Sequence, residues 1–503
     1  MMGHQPETQA VFHLLEVYET DLPFWRFFEV FRADPHAYFL DSSLAEQTLG
    51  RFSFMGSNPF MVYRAFAALS QERGASSTRG GVQVSLEYFH EGGSKRERYE
   101  AVDLFDDLRS TFEAYEVPPA SYNASKLPFY AGGVGYLAYE AGALIEAIPT
   151  VPVDHTGLPV ACFLFVDHAF AYCHTSGKSY LSVLGRGKDE AEARAQAQMR
   201  MEGLRNRLDS FARCATTSQD AAAPAENIAS FELEAEHSRE SYIEAVKTVK
   251  SHIREGDVYE VCLTHGYTCT QQRTPWALYQ SLREINPAPF SSFLQLPEVQ
   301  VVCSSPERFL HLDSERNIES RPIKGTRRRG ETLLHDLQLE DELQNSEKDR
   351  AENLMIVDLV RNDLSRVSEI GSVHVPQLLR VERYATVLQL VSAIRGKLAA
   401  QNDLFDLIKA CFPGGSMTGA PKIEAMKVIA SLEKSTRGIY SGAIGYIDFA
   451  GTLDLNIVIR SIVVADGKCY FNVGGAIVSD SDPVAEYEET LDKARALVTA
   501  LRT

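Results

Sequence analysis

Ser320-Arg321-Pro322-Ile323-Lys324-Gly325-Thr326 is the stretch around which the remaining motifs of the chain arrange themselves. One lysine sits between a proline-stiffened approach and a glycine exit. The β-branched Thr326 follows at once, which suits the end of a strand turning into a loop. Such a lysine presents its amine at a fixed point, and partial desolvation would ease loss of its proton and make it a nucleophile or a base. A lysine read in isolation is an ordinary solvated charge. Here the context is unusual: Ser305-Pro306-Glu307-Arg308-Phe309 lies upstream, and acidic and glycine-rich motifs crowd the sequence downstream.

Working outward, the 503 residues could hold two to four domains by length alone. With 45% hydrophobic and 23% charged residues the composition is globular. A formal net charge of −18 without a concentrated basic patch argues against nucleic-acid binding. The eight cysteines include no C-x-x-C and read as reduced thiols of a cytoplasmic protein, not as a disulfide framework or a zinc site. Glu7 and the lack of a long apolar run near residue 1 predict no signal peptide there, and no segment has the ~18 apolar residues of a membrane span.

The first part of the chain alternates short apolar runs with turns, as in Val82-Gln83-Val84-Ser85-Leu86-Glu87-Tyr88, which has strand alternation. Gly132-Gly133-Val134-Gly135 lacks the following lysine of a phosphate loop and reads as close sheet packing. Residues 186–209 carry the spaced alanines and charges of a solvated helix. The segment 214–234 reads as a linker or surface loop, dividing the chain into residues 1–213 and 235–503. Tyr242, Val246, Val249 and Ile253 then keep helical spacing after Ser238, and Gly256 marks the stop. Glu260 falls in the strand that follows, where an edge-strand glutamate is the plain reading.

Two acidic pairs stand out. Asp349 and Glu352, in a segment from Glu347 to Val360 whose Leu354, Met355, Val357 and Leu359 suit a buried helix, are spaced i, i+3; so are Glu486 and Glu489. That spacing puts each pair on one helical face. Each is either a solvated face or a carboxylate set that repels unless a hard cation such as Mg²⁺ neutralises it. Pro413 to Lys422 forms a glycine-rich run ahead of a predicted helix, with Pro421 suited to its first turn and free N–H groups suited to an anion. Arg460, in the apolar Ile457-Val458-Ile459-Arg460, needs a partner if buried, and a carboxylate fits its fork.

Ser-Pro-Glu-Arg-Phe at 305–309, Arg-Pro-Ile-Lys-Gly-Thr at 321–326 and Ala351-Glu352-Asn353-Leu354-Met355-Ile356-Val357-Asp358 through Asp363 resemble the chorismate-utilising enzymes, a family that includes anthranilate, aminodeoxychorismate, isochorismate and salicylate synthases. The resemblance covers nearly the whole chain and is strongest after Ser241. It implies an α+β fold like that of anthranilate synthase component I, with two packed antiparallel β-sheets flanked by helices and residues 1–213 forming the N-terminal part of that sandwich with its regulatory or structural pocket. Lysine at 324, where anthranilate synthases carry alanine, points to the aminodeoxychorismate branch. That branch converts chorismate and ammonia to 4-amino-4-deoxychorismate, for p-aminobenzoate and folate.

The resemblance further implies Lys324 as covalent nucleophile and Glu307 as general acid for the departing ring hydroxyl. It implies Ser416, Gly419, Tyr440, Arg460, Gly474, Gly475, Ala476 and Lys493 as substrate contacts. Glu352 and Glu489 would bind Mg²⁺ directly, and Asp349 and Glu486 through water. Asp41, Ser42, Pro289 and Phe290 map to a tryptophan pocket, although Asp41 stands where inhibited relatives have glutamate; a structural role for Asp41 and Ser42 fits equally. Isochorismate-forming members place a lysine at position 260 to activate water, so Glu260 argues against water as the nucleophile. Gln389 replaces a family histidine. None of the cysteines sits in a Gly-x-Cys-x-Gly elbow, so ammonia is expected from a separate glutaminase subunit. The alternatives are anthranilate synthase component I and a non-catalytic chorismate-binding or scaffold subunit.

Overall fold

A computed structural model describes residues 10–44, 49–67, 81–90, 92–122, 127–149, 151, 153–217, 232–384 and 387–502. Two antiparallel sheets, each of 12 strands among these residues, dominate it. The alternation legible in Val82 to Tyr88 becomes the strand Val82–His90, with Val82 and Val84 fully buried. Strand after strand places its apolar residues inward in this way, and burial of such a side chain contributes roughly 1.5–3 kcal/mol.

The sheets are assembled from distant segments. In the first, Ala37–Asp41 pairs with Phe290–Gln295, and Gln300–Ser305, Ser461–Ala465, Lys468–Ile477 and Glu260–Thr270 follow in that order. In the second, Ile323–Arg328 forms one end, followed by Val387–Lys397, Asn317–Arg321, Arg308–Leu312, Leu453–Ile457, Ala443–Asp448 and Gly132–Leu137. Strands from both sides of residues 214–234 therefore share each sheet. Tyr38, Phe54, Leu294 and Val301 of the first sheet meet Val134, Tyr136, Leu164 and Ile444 of the second in one buried cluster. Outside the first sheet lie the helices Pro275–Ile285 and Pro483–Arg502, packed through Trp276, Leu282, Leu497 and Leu501. Outside the second lie Leu104–Glu113, Glu347–Ser365 and Leu404–Cys411, packed through Phe112, Ile356, Val360 and Phe405.

Several sequence expectations shift. The helix expected over 186–209 spans Glu190–Thr217, so it runs into the expected linker, and 218–231 of that linker lie outside the described residues. The helix from Ser238 is Arg239–Glu255, capped by the Ser238 hydroxyl and ended by Gly256 at φ +86°, a left-handed conformation that glycine adopts without penalty. In Glu347–Ser365 the inward face carries Glu352 and Asn353 alongside Ile356 and Val357, while Leu354 is 44% exposed. The helix expected to be buried is thus buried on one face only, and two polar residues belong to that face. Cys162, Cys173, Cys262, Cys269, Cys303, Cys411 and Cys469 are free and buried.

The Gly132-Gly133-Val134-Gly135 run is a packing device, as its sequence suggests. A Cβ at Gly135 would lie 1.9 Å from the Cys162 carbonyl oxygen of the neighbouring strand. Overpacking of this kind costs about 1–3 kcal/mol. We expect Gly135→Ala to lower the unfolding free energy by at least about 1 kcal/mol, read by circular dichroism as a lower urea midpoint with an unchanged slope.

Candidate active site

Lys324 does not sit in a loop. It lies in the strand Ile323–Arg328, whose register against Val387–Lys397 shifts between Ile323 and Thr326. Gly325, at φ +83°, occupies that irregularity. A bulge re-aims the side chain beside it, and a side chain at 325 would also press on the Asp349 carboxyl at 2.9 Å. Lys324 is thereby turned into a cavity of about 740 Å³, within the range of small-molecule sites.

The amine is buried against a partner from the other sheet. Lys324 Nζ donates to Glu260 Oε1 at 2.6 Å. Glu260 is fully buried, and its strand is flanked by Lys468–Ile477 on one side and by Gly419–Ala420 and Glu234–Ala235 on the other. The edge-strand reading of this glutamate is thus corrected. So is the expectation that the lysine gives up its proton easily. Burial favours the neutral amine, but the nearby Glu260 and Glu352 carboxylates outweigh it and raise the lysine pKa.

Glu307 occupies the turn between Gln300–Ser305 and Arg308–Leu312 and is 4% exposed. Its backbone N–H donates to the Ser305 hydroxyl at 3.2 Å. Burial pushes its carboxyl up to about 7, with the Ser416 hydroxyl and Lys324 pulling the other way. A carboxylic acid there retains a proton near neutrality, as a general acid must.

The same cavity is lined by Ser416, Tyr440, Gly474, Gly475, Ala476, Arg460 and Lys493. Arg460 is not in a strand; it turns at φ +50° between Leu453–Ile457 and Ser461–Ala465. Its Nη1 donates to Asn286 Oδ1 at 2.9 Å. Burial lowers its pKa, and among the described residues no carboxylate pairs with it, which leaves its fork suited to an anionic ligand. Lys493 Nζ reaches the Gly474 carbonyl and Glu489 Oε1, both at 2.8 Å. Gly419 falls outside the cavity: a Cβ on it would lie 2.1 Å from the Glu260 carbonyl oxygen, so its role is packing. The helix start expected to bind an anion also faces elsewhere. Its helix is Lys422–Leu432 with Pro421 as N-cap, none of residues 418–424 lines the cavity, and Lys422 is bonded to Asp363 and the Cys411 carbonyl, each at 2.7 Å.

Of the four acids, Glu352, Asp349 and Glu489 line the cavity. Glu486 lies behind Gly475, where a Cβ would be 3.2 Å from Glu486 Oε2 and 3.8 Å from Glu489 Oε1. Lys348, a residue the sequence reading passed over, sits among them, 2.9 Å from Glu486 and 3.8 Å from Glu352. Asp349 is bonded to Arg327 at 3.0 Å. Burial raises Glu352 to about 7, with Lys324 lowering and Glu260 raising it further; Lys493 lowers Glu489. Among the described residues, the one acid-and-histidine group whose ligand atoms lie within 4.8 Å of one another is His252, Glu255 and Asp257, away from the cavity. The four acids are thus close without converging. The donor set nevertheless fits Mg²⁺: all are carboxylate oxygens, and Glu352 Oε1 is buried with no hydrogen-bond partner.

Asp41, Ser42, Pro289 and Phe290 come together in a second cavity of about 710 Å³. Asp41 accepts from Arg283 at 2.6 Å and Tyr279 at 3.0 Å. Ser42 donates to the Phe52 carbonyl at 2.8 Å. Both side chains are committed to internal bonds. Gln389 lines the first cavity, buried, with Oε1 unpartnered. The signal for Glu260 was present in the sequence as strand alternation, which places it on one face with Cys262, a cavity residue.

A family model described as chorismate binding enzyme matches residues 65–499. An aminodeoxychorismate synthase of Streptomyces pristinaespiralis is 40% identical over 479 residues, covering 95% of this chain and 63% of the relative. The chain thus spans less than two thirds of that relative, and about half of the Arabidopsis thaliana one, at 50%. Anthranilate synthase component 1 of Acetivibrio thermocellus is 34% identical over 480 residues, covering 94% of this chain and 92% of the relative. The crystal structure of anthranilate synthase component I from Streptococcus pneumoniae superposes with a TM-score of 0.71 at 27% identity over 90% of this chain and 93% of that one.

The raised Glu307 pKa has a stability consequence. Between the ordinary carboxyl value of 4.5 and about 7 the folded protein holds a proton that the unfolded chain releases, so this group makes stability fall as pH rises through that window. Glu307→Gln removes the effect. We expect it to gain on the wild type by up to about 3 kcal/mol between pH 4.5 and 8, at 1.36 kcal/mol per unit. Urea unfolding at a series of pH values reads this; a pH-independent difference would place the Glu307 carboxyl at an ordinary value.

Proposed function

This chain belongs to the chorismate-binding enzymes, and on that premise we propose that it aminates chorismate at C4 to give 4-amino-4-deoxychorismate, the first step toward p-aminobenzoate and folate. The observation that carries this reading is the Lys324 amine inside the cavity, beside a buried acid at Glu307. Lys324 attacks ring carbon C2 while Glu307 protonates the departing C4 hydroxyl, which leaves as water. Ammonia then attacks C4, the C2–N bond breaks, and the proton shed by the new amine restores Glu307. Splitting one displacement into two is the gain from a nucleophile. A small side chain at 324 would instead leave C2 open to ammonia itself.

Arg460 and Lys493 offer cations for the two substrate carboxylates, with Tyr440, Ser416 and the backbone of Gly474, Gly475 and Ala476 as further contacts. Glu352 and Glu489 would hold Mg²⁺ directly, and Asp349 and Glu486 through water. When bound, the ion would neutralise these acids and a carboxylate of the ligand. In this reading a glutaminase subunit supplies the ammonia. The protein works in the cytoplasm, in keeping with its free buried thiols; no helix among the described residues is long and apolar enough to cross a membrane.

Anthranilate synthase component I is the second reading, favoured by the nearly full-length match to such an enzyme. Incubation with chorismate, ammonia and Mg²⁺ separates the two. The expected product is 4-amino-4-deoxychorismate by mass spectrometry; fluorescent anthranilate formed without an added lyase would overturn the proposal. Lys324→Ala is expected to abolish the 4-amino product, and unchanged product would exclude the covalent route.

A further inference from the structure

Glu260 is a buried charged group to which the reaction as written gives no work. Its Oε1 is 2.6 Å from Lys324 Nζ. Its Oε2 is buried with no hydrogen-bond partner. Among the described residues it is the one carboxylate within 4 Å of that amine. A buried carboxylate with an unsatisfied oxygen is costly, and apolar packing in its place is often neutral or better. The cost calls for a function at this position. The chemistry supplies one: a nucleophilic lysine must be neutral, yet here it is held as an ammonium.

We propose that Glu260 is the acceptor of the proton that Lys324 must lose before it attacks. The inference rests on Lys324 acting as the nucleophile. One N–H of the ammonium passes along the existing hydrogen bond to Glu260 Oε1, leaving a neutral amine and a carboxylic acid. The nitrogen lone pair forms the bond to C2, and the electron pair of the C4–O bond leaves with the hydroxyl, protonated by Glu307. When ammonia bonds to C4, the C2–N bond breaks with its electrons on nitrogen. The released neutral amine recovers its proton from Glu260. Ligand binding favours the transfer by excluding water, since a neutral acid–amine pair costs less than two charges in a dry site.

The other charged and titratable groups acting on Lys324 are Cys262 from the Glu260–Thr270 strand, Glu352 from Glu347–Ser365, Glu307 from its turn, and Glu489 from the last helix, with Lys493 beside it. None of these is bonded to the amine in this structure, and all remain when Glu260 is replaced. A Glu260 variant therefore isolates the acceptor.

Glu260→Gln keeps the size and one acceptor oxygen but cannot take the proton. At pH 7.5 we expect ammonia-dependent turnover to fall on the order of 10²–10⁴-fold, the usual worth of a positioned base, with the KM for chorismate within about threefold of the wild type. The rate should climb roughly tenfold per pH unit toward the ordinary lysine range, because the proton must now go to solvent. Protein incubated with chorismate without ammonia should gain the adduct mass in the wild type and not in Glu260→Gln at pH 7.5. Glu260→Asp, which keeps an acceptor at a longer reach, should retain the wild-type pH profile at reduced rate. Wild-type turnover in Glu260→Gln, a uniformly low rate with the wild-type pH profile in that variant, or a Glu260→Asp profile that climbs with pH would each overturn the proposal. Lys324→Ala distinguishes the layers: 4-amino product from that variant sinks the nucleophile reading itself, whereas an inactive Lys324→Ala beside a fully active Glu260→Gln sinks only the role of Glu260.

Discussion

One buried ion pair joins the two sheets at the cavity. Glu260 belongs to the first sheet and Lys324 to the end strand of the second, and the two side chains meet at 2.6 Å. Such a pair is no cheap source of stability, because each charge gives up its hydration. It is tolerated because the surroundings are fixed by other bonds. Arg437, almost wholly buried, is bonded twice to Glu433 and also to the carbonyls of Cys262 and Met417. Glu433 in turn accepts from the backbone N–H and hydroxyl of Thr264. This second ion pair ties the Glu260 strand to the turn that carries Ser416. The polar atoms of the cavity wall are thus held by groups that do not line it.

The electrostatics of the cavity run against those of the chain. An acidic protein with a net charge of −18 repels a dianionic ligand at long range. Within the cavity, Lys324, Lys493 and Arg460 come from three separate elements. Of these, Lys324 and Lys493 are matched by carboxylates, whereas Arg460, among the described residues, is bonded to the Asn286 amide and to no carboxylate. Burial also keeps Glu307 and Glu352 up near 7, which reduces the negative charge that two ionised acids would add. Of the three, Arg460 is therefore the cation whose charge no carboxylate among the described residues offsets.

How much of this was legible in the sequence depends on range. Local signals read well: the capped helix after Ser238, the close packing of Gly132 to Gly135, and the helical placement of the i, i+3 acids. Long-range pairing was not legible from periodicity. Nothing in residues 37–41 announces Phe290–Gln295 as their neighbour, and the resemblance to relatives carried the sandwich. The site misreadings share that cause. Glu260 read as an edge residue because the strands beside it come from residues 419–420 and 468–477. Gly419 was placed at the ligand by the resemblance alone, whereas the space it leaves is taken by the Glu260 backbone. The Glu347–Ser365 helix was read through its apolar residues, although Glu352 and Asn353 hold part of the inward face.

Positions 260 and 324 are physically coupled, and this constrains how a fold of this kind can change its chemistry. A lysine at 324 without a carboxylate opposite would be a buried cation facing only more distant charges. A carboxylate at 260 without the lysine would be a buried anion lacking its one bonded partner, a loss of the size that costs 3–5 kcal/mol when half of a buried pair is removed. Each side chain alone is therefore worse than both or neither. A relative with a small residue at 324 should carry an uncharged residue at 260, and one with a cation at 260 should lack the lysine at 324. The two positions therefore have to change together, because neither member of the pair can be replaced at constant cost while the other stays.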